Sequence, residues 1–224
     1  TVSEFSRARL KYHLGISEHK IHVIPNGVGK PFELQTKNSV DEVRKKYNLS
    51  KPYFLFVGTQ EPRKNLVKLI EAFGKLNGST HNLVIAGEKG KVFADVGQIA
   101  NLTYKPLGYV PDSDLPALYS GASAVLTPSL YEGSGLTALE AMACGAPVIA
   151  SNTTSFPEVT GDAALLVDPD HVEEIANAMQ KIVEDPHLAN TLRERGFQRS
   201  KQFTWDESAR KTQDIIYKAG DSHL

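Results

Sequence analysis

The sequence predicts an α/β fold, a doubly wound parallel sheet, on two observations. From about Tyr53 to Asp185, short continuous apolar runs recur, several ending at a glycine. Helix-period segments separate them. Continuous rather than alternating apolar strands mean a sheet covered on both faces, and intervening helices supply the crossovers of a parallel sheet. Ligands in such sheets sit beyond the carboxyl ends of the strands.

Tyr53–Val57 is the first run and ends at Gly58. The helical stripe of Leu66, Leu69, Ile70, Phe73 and Leu76 follows, then Leu83–Ala86 closed by Gly87. Val92 to Ala100 reads as a weaker helix, and Leu102 to Leu107 as a weak strand broken by Pro106 and ended by Gly108. A capped helix is expected from Asp112 to Tyr119, a strand over Ala124–Thr127 and a short helix from Leu136 to Cys144 with Gly145 as its C-cap. Strands Pro147–Ala150 and Ala164–Val167 precede helices from about Val172 and Leu188.

The ends differ from this middle. Phe5 to Leu14 predicts an amphipathic helix, and Ile21 to Ile24 a short strand closed by Pro25-Asn26-Gly27. Residues 33–50 are polar, with a helix from about Val40. Thr204-Trp205-Asp206-Glu207 is a capping box opening a terminal helix whose stripe includes Trp205, Ala209, Ile216 and Ala219.

The 224 residues, 41% hydrophobic and 23% charged, suit one large globular domain with appendages. A net charge of −1 gives no electrostatic case for nucleic acid or an anionic membrane. One cysteine, Cys144, allows no internal disulfide and fits a reducing cytosol. No apolar run reaches the ~20 residues of a membrane span. Thr1-Val2-Ser3-Glu4 reads as the middle of a longer protein.

Chemistry concentrates in two segments. Tyr131 to Glu140 follows a strand directly and opens a helix. Gly133, Ser134 and Gly135 leave the backbone unobstructed where that helix presents free N–H groups, an arrangement suited to an anion. Glu140 lies in an otherwise apolar helix, so burial is expected, and a buried carboxylate needs hydrogen-bond partners. A ribose hydroxyl pair would satisfy it; so would an internal partner. The second segment is Glu61-Pro62-Arg63-Lys64-Asn65, between the first strand and its helix. Two cations at a helix N-terminus oppose its dipole at a cost of ~0.3–1 kcal/mol each, unless an anion joins them. Both segments belong at strand carboxyl ends, where their groups can converge on one diphosphate.

Other patterns carry less. Gly133 to Ala138 fits the dinucleotide fingerprint, but lies late in the sheet, and Ser151-Asn152 rather than an acid follow the next strand. Asp112-Ser113-Asp114 and Asp168-Pro169-Asp170 imitate a metal-binding Asp-x-Asp, yet precede helices, where aspartates act as caps. The histidines are scattered, no metal ligand set has metal spacing, and Ser134 has no adjacent histidine and acid.

At these residues the chain resembles the C-terminal domain of glycosyltransferase family 4, a retaining family with the two-domain GT-B fold. The resemblance runs from Val2-Ser3-Glu4-Phe5-Ser6 and Ile24-Pro25-Asn26-Gly27-Val28 through Phe56 to Asn65 and Gly108-Tyr109-Val110-Pro111. It closes on Pro128 to Gly133, Leu139 to Gly145 and Pro147-Val148-Ile149-Ala150. It implies that Glu132 contacts the transferred sugar and Glu140 the ribose. Backbone amides around Ser134, Gly135, Leu136 and Thr137 would hold the diphosphate, Lys64 and Arg63 would neutralise it, and the backbone near Val110 would meet the base. It implies a front-face displacement without metal or cofactor, on a nucleotide diphosphate sugar such as GDP-mannose or a UDP-sugar. Ser134, Gly29 and Thr59 depart from the residues common in the family.

The organisation implied is an interdomain helix and strand over 1–30, a polar connection over 31–50, the nucleotide-sugar-binding domain over 51–203 and a terminal helix over 204–224. That helix would pack toward an N-terminal acceptor domain missing from this sequence. A cytoplasmic protein, membrane-associated through the missing domain or not, is expected. Two rivals are a nucleotide-sugar-binding module without turnover and a nucleotide-sugar epimerase of the same architecture.

Overall fold

A computed structural model describes residues 1–76, 80–88 and 104–221. Six strands form one parallel sheet: β1 Tyr53–Val57, β2 Asn82–Ala86, β3 Lys105–Gly108, β4 Ala124–Thr127, β5 Val148–Ser151 and β6 Leu165–Val167. Their spatial order is β3-β2-β1-β4-β5-β6. The chain winds outward from β1 in one direction to β3, returns, and continues from β4 to β6. The doubly wound expectation is therefore met, with a switch point between β1 and β4.

The helices are α1 Glu4–Leu14, α2 Lys37–Lys46, α3 Leu66–Gly74, α4 Leu115–Ser120, α5 Leu136–Ala143, α6 Phe156–Thr160, α7 Val172–Glu184, α8 Pro186–Ser200 and α9 Trp205–Asp221. Successive strand residues point to opposite faces, and each face has its own core. Leu55, Val84, Val125 and Val148 pack against α4 and α5. Phe54, Phe56, Leu83, Ile85 and Ile149 pack against α3, α7 and α8. Every residue of β4 and β5 is buried, which is why these strands read as unbroken apolar runs.

Several expectations change. Ile21–Ile24 is extended but joins no sheet; Ile24 N–H bonds only back to the Thr1 carbonyl (2.8 Å). Val92–Ala100 lies outside the described residues. Pro106 does not break β3, because β3 is an edge strand and needs fewer ladder donors. The helix expected from Asp112 starts at Leu115, since Asp112 to Asp114 form a turn, and α6 was not foreseen.

The aspartate pairs also act otherwise than as helix caps. Asp114 occupies the N-cap position of α4 but makes no cap bond. Its carboxylate accepts from Lys46 Nζ and Tyr47 OH, both at 2.6 Å, and so ties the end of α2 to the start of α4. Asp168 accepts from Asp170 N–H (2.8 Å) inside the turn before α7. The capping box at Thr204 is half formed: Thr204 Oγ1 accepts from Glu207 N–H (3.2 Å), while the Glu207 side chain goes to Arg210.

Candidate functional site

All six strands run the same way, so the turns after β1, β3, β4 and β5 share one edge of the sheet. At this edge the backbones of the turns after β1 and β2 touch. A Cβ on Gly87 would lie 2.0 Å from the Gly58 carbonyl oxygen, so only glycine fits there. The Gly58 turn leads into a short 3₁₀ turn, Pro62–Lys64, and then into α3.

The neighbouring turn, after β4, carries Tyr131 to Gly135 and opens α5. Gly135 adopts φ +62°, ψ 28°, a left-handed conformation that redirects the chain from loop to helix. Ala138 and Leu139 make the first bonds of α5, both to the Gly135 carbonyl, at 3.0 and 3.2 Å. The N–H groups of Leu136 and Thr137 come before them at the open end of the helix.

The two turns meet across the switch point. Lys64 Nζ lies 2.6 Å from Glu132 Oε2, with both side chains largely covered, and Arg63 Nη1 lies 3.3 Å from the same oxygen. Arg63 also pairs with Glu61 at 2.7 Å. The two cations placed against a helix start are thus balanced by two carboxylates of the chain itself. Leu130 N–H donates to the Arg63 carbonyl (2.8 Å), which fixes the turns relative to one another. A recess between them is lined by Val57, Lys64, Thr127, Glu132, Gly135 and Thr137. A larger hollow, about 340 Å³, lies beside Lys75, Glu173, Asn177 and Gln180, away from this edge. Its ion pair, Lys75–Glu173, is exposed, whereas the recess at the switch point sets a largely covered pair beside a second cation and a helix start, and is the stronger candidate.

Three serines hold the Glu132 turn from behind. Ser3 Oγ contacts the Gly133 carbonyl at 2.7 Å, Ser6 Oγ does so at 3.3 Å, and Ser155 Oγ donates to the Glu132 carbonyl at 3.1 Å. The Phe5 ring meets the Tyr131 ring edge-on at 5.3 Å. Glu158 of α6 accepts from the Glu4 and Phe5 N–H groups (2.9 and 3.1 Å), so α1 is fastened to α6 as well.

Glu140 sits one turn into α5, half-buried rather than fully covered. Burial pushes its carboxyl up to about 7; a hydrogen bond from Tyr119 lowers it, and the Asp112 charge raises it. Tyr119 OH donates to Oε2 at 3.0 Å. An internal partner and an open side therefore coexist, and neither reading of Glu140 excludes the other. Val110 is buried (6% exposed) in the turn after β3, beside the exposed Tyr109. Ser134, Leu136 and Thr137 are half-buried at the loop and helix start, and of these three Thr137 lines the recess. Burial pushes the Cys144 thiol up to about 12, which makes it a packing residue.

Lys64, Arg63, Glu132, Gly135 and Thr137 thus gather at one place, with Glu140 further along α5 and Val110 on the turn after β3. Sequence reading missed the support behind them: Ser3, Ser6, Ser155 and Tyr119. Tyr119 was the findable one, since a phenol in the apolar Leu115–Tyr119 segment needs a buried partner. Among the described residues no three His, Cys, Asp or Glu side chains converge as a metal ligand set. No described helix is long and apolar enough to cross a membrane.

Residues 39–199, well over half of the chain, match the family described as Glycosyl transferases group 1. The chain belongs to that family. It is 35% identical over 221 residues to O-antigen chain mannosyltransferase B of Escherichia coli, covering 95% of this chain and 58% of that protein. It is 28% identical to MMP alpha-(1->4)-mannosyltransferase of Mycolicibacterium hassiacum, covering 98% of this chain and 53% of that one. Among solved structures, sucrose-phosphate synthase from Thermosynechococcus elongatus superposes with a TM-score of 0.82 at 28% identity, over 99% of this chain and 58% of the other. HepE of Anabaena in complex with UDP reaches 0.87 at 20% identity, over 96% and 62%, which shows a shared fold. This group 1 chain therefore spans little more than half the length of these relatives.

Proposed function

We propose that the chain is the donor-binding, C-terminal half of a retaining, metal-independent glycosyltransferase of family 4 with the GT-B architecture. Residues 51–203 would bind the nucleotide diphosphate sugar, with 1–30 and 204–224 facing an N-terminal acceptor domain and 31–50 connecting. The carrying observation is the meeting of Lys64, Arg63 and Glu132 across the β1/β4 switch point beside the start of α5. That edge is where such sheets take nucleotides. The exposed Trp205 (52%), Ile216 (64%) and Tyr217 (63%) of α9 support a further packing partner for that helix.

In this reading the bond between the anomeric carbon and the diphosphate oxygen breaks, and its electron pair leaves with the phosphate. Lys64, Arg63 and the N–H groups of Leu136 and Thr137 stabilise that charge as it develops. The acceptor hydroxyl attacks from the same face and passes its proton to the leaving diphosphate. Glu132 contacts the transferred sugar once Lys64 turns to the phosphate, and Glu140 takes the ribose hydroxyls. The names of the relatives favour a mannosyl donor, which makes GDP-mannose the first donor to test and UDP-glucose the second.

Calorimetry tests the site. Lys64→Ala should weaken GDP and UDP by ~1.5–3 kcal/mol, the value of a charge-assisted contact, and leave guanosine and uridine nearly unchanged. Equal losses for nucleotide and nucleoside would remove Lys64 from the phosphate site. Affinity should persist in EDTA; a loss restored by manganese would overturn metal independence. Sugar transfer should need a protein that extends upstream of Thr1, because orienting the acceptor is worth ~7–11 kcal/mol of barrier. Transfer by the isolated chain at the longer protein's rate would overturn that division of labour.

A further inference from the structure

The site reading leaves Tyr119 unexplained. Its side chain is fully buried in the core that contains Leu118, Ala141 and Cys144, and its ring tilts against Phe32 at 6.1 Å between centroids. The position of its hydroxyl is therefore set by core packing. A buried phenol requires a partner, and this one donates to Glu140 Oε2 at 3.0 Å. Glu140 is the opposite kind of group: half-buried, on a flexible side chain, with no hydrogen-bond partner on Oε1 among the described residues.

Resting on the ribose role of Glu140, we propose that Tyr119 is a positioning residue of the donor site, whose rigid phenol holds the Glu140 carboxylate so that Oε1 faces the ribose hydroxyls. Tyr119 satisfies one lone pair of Oε2 and leaves the outer edge of the carboxylate for a pair of ligand hydroxyls. It also acts on charge. Burial and Asp112 both favour the protonated carboxyl, and the Tyr119 hydrogen bond opposes them. The remaining titratable groups facing this cluster are Cys144, held protonated by burial, and Glu33 beside it; neither adds a cation. Tyr119 is thus the group that keeps Glu140 an acceptor near neutral pH.

The test compares GDP and UDP with their 2′,3′-dideoxy analogues by calorimetry between pH 6 and 9, on the wild type, Tyr119→Phe, Glu140→Ala and the double variant. The ratio of ribo to dideoxy affinity isolates the hydroxyl contacts, because phosphate and base titrate alike in both ligands. In the wild type this ratio should fall as pH drops through about 7, where Glu140 takes up its proton. Tyr119→Phe keeps the ring and removes only the donor. Its midpoint should rise by about one pH unit, which lowers the ratio at pH 7 roughly fivefold. On the Glu140→Ala background the same change should do nothing. An unchanged ratio and midpoint in Tyr119→Phe, with the ratio abolished in Glu140→Ala, would overturn the role of Tyr119 and leave the ribose reading standing. An unchanged ratio in Glu140→Ala would overturn both. Should Tyr119→Phe lose its near-ultraviolet dichroism, Glu140→Gln serves instead. Its amide oxygen still accepts from Tyr119 but does not titrate, so its ratio should be flat with pH, and a persisting midpoint at about 7 would overturn both the ribose role of Glu140 and the positioning role of Tyr119 that rests on it.

Discussion

Glu140 illustrates how one carboxylate can work against the fold that carries it. Its ordinary value of 4.5 is raised to about 7 by burial, so the folded protein prefers it protonated and the unfolded chain does not. The sign follows directly. Its favourable contribution to stability is complete below about 4.5 and is lost as pH rises to about 7. Above that the fold holds a charge it would rather not have. Glu140→Gln, of the same shape and still able to accept from Tyr119, should therefore melt higher than the wild type at pH 8 and nearly together with it at pH 4.5. Thermal melts at the two values check this; a variant less stable at pH 8 would mean that the carboxylate is stabilising in the apo protein. That residue was legible in the sequence as a charge in an apolar helix. Its degree of exposure was not, because exposure depends on how α4 and the turn after β3 lie over α5, which no local pattern encodes.

Helix α5 shows the same limit at the scale of an element. Its span, its apolar faces and its termination at Gly145 follow from local rules, and the observed Leu136–Ala143 differs from the expected helix by one residue. Its start is more demanding, since Gly135 must take a left-handed conformation. A Cβ there meets Phe156 and Val159 only at 3.4–3.5 Å, ordinary contact distance, so the cost of a side chain is conformational rather than steric. Gly135→Ala should destabilise the protein by ~1–2 kcal/mol in denaturant titration. It should also weaken diphosphate binding by turning the first N–H groups of α5. Full stability with full affinity would show that this turn is more tolerant than its geometry indicates. The hold of α1 on the Glu132 turn could not be read at all: Ser3 and Gly133 are 130 positions apart, and serines at a helix start read as caps alone. Ser3 is such a cap, accepting from Ser6 N–H, and its second contact emerges only in three dimensions.

At the scale of the molecule, strand order decides which turns become neighbours. Local sequence places both cations in the turn between Gly58 and Asn65, but only the β1–β4 pairing brings Glu132 to them. This pairing gives the Lys64–Glu132 contact a consequence beyond architecture. The carboxylate is a tethered competitor for the cation: it occupies Lys64 at an effective concentration that free inorganic anions in solution must exceed. A bare phosphate or pyrophosphate displaces Glu132 and offers it nothing in return. In the proposed function, a nucleotide sugar would displace it toward hydroxyls that can hydrogen-bond it, and so repay the exchange. On that reading, occupancy by the wrong anion would be discouraged without any steric filter. Glu132→Gln should bind pyrophosphate more tightly, roughly fivefold for a contact of about 1 kcal/mol, while binding the nucleotide sugar less tightly. Parallel titrations with pyrophosphate and the sugar donor read both changes, and a pyrophosphate affinity that stays the same or falls would show that Lys64 is not held back by its neighbour.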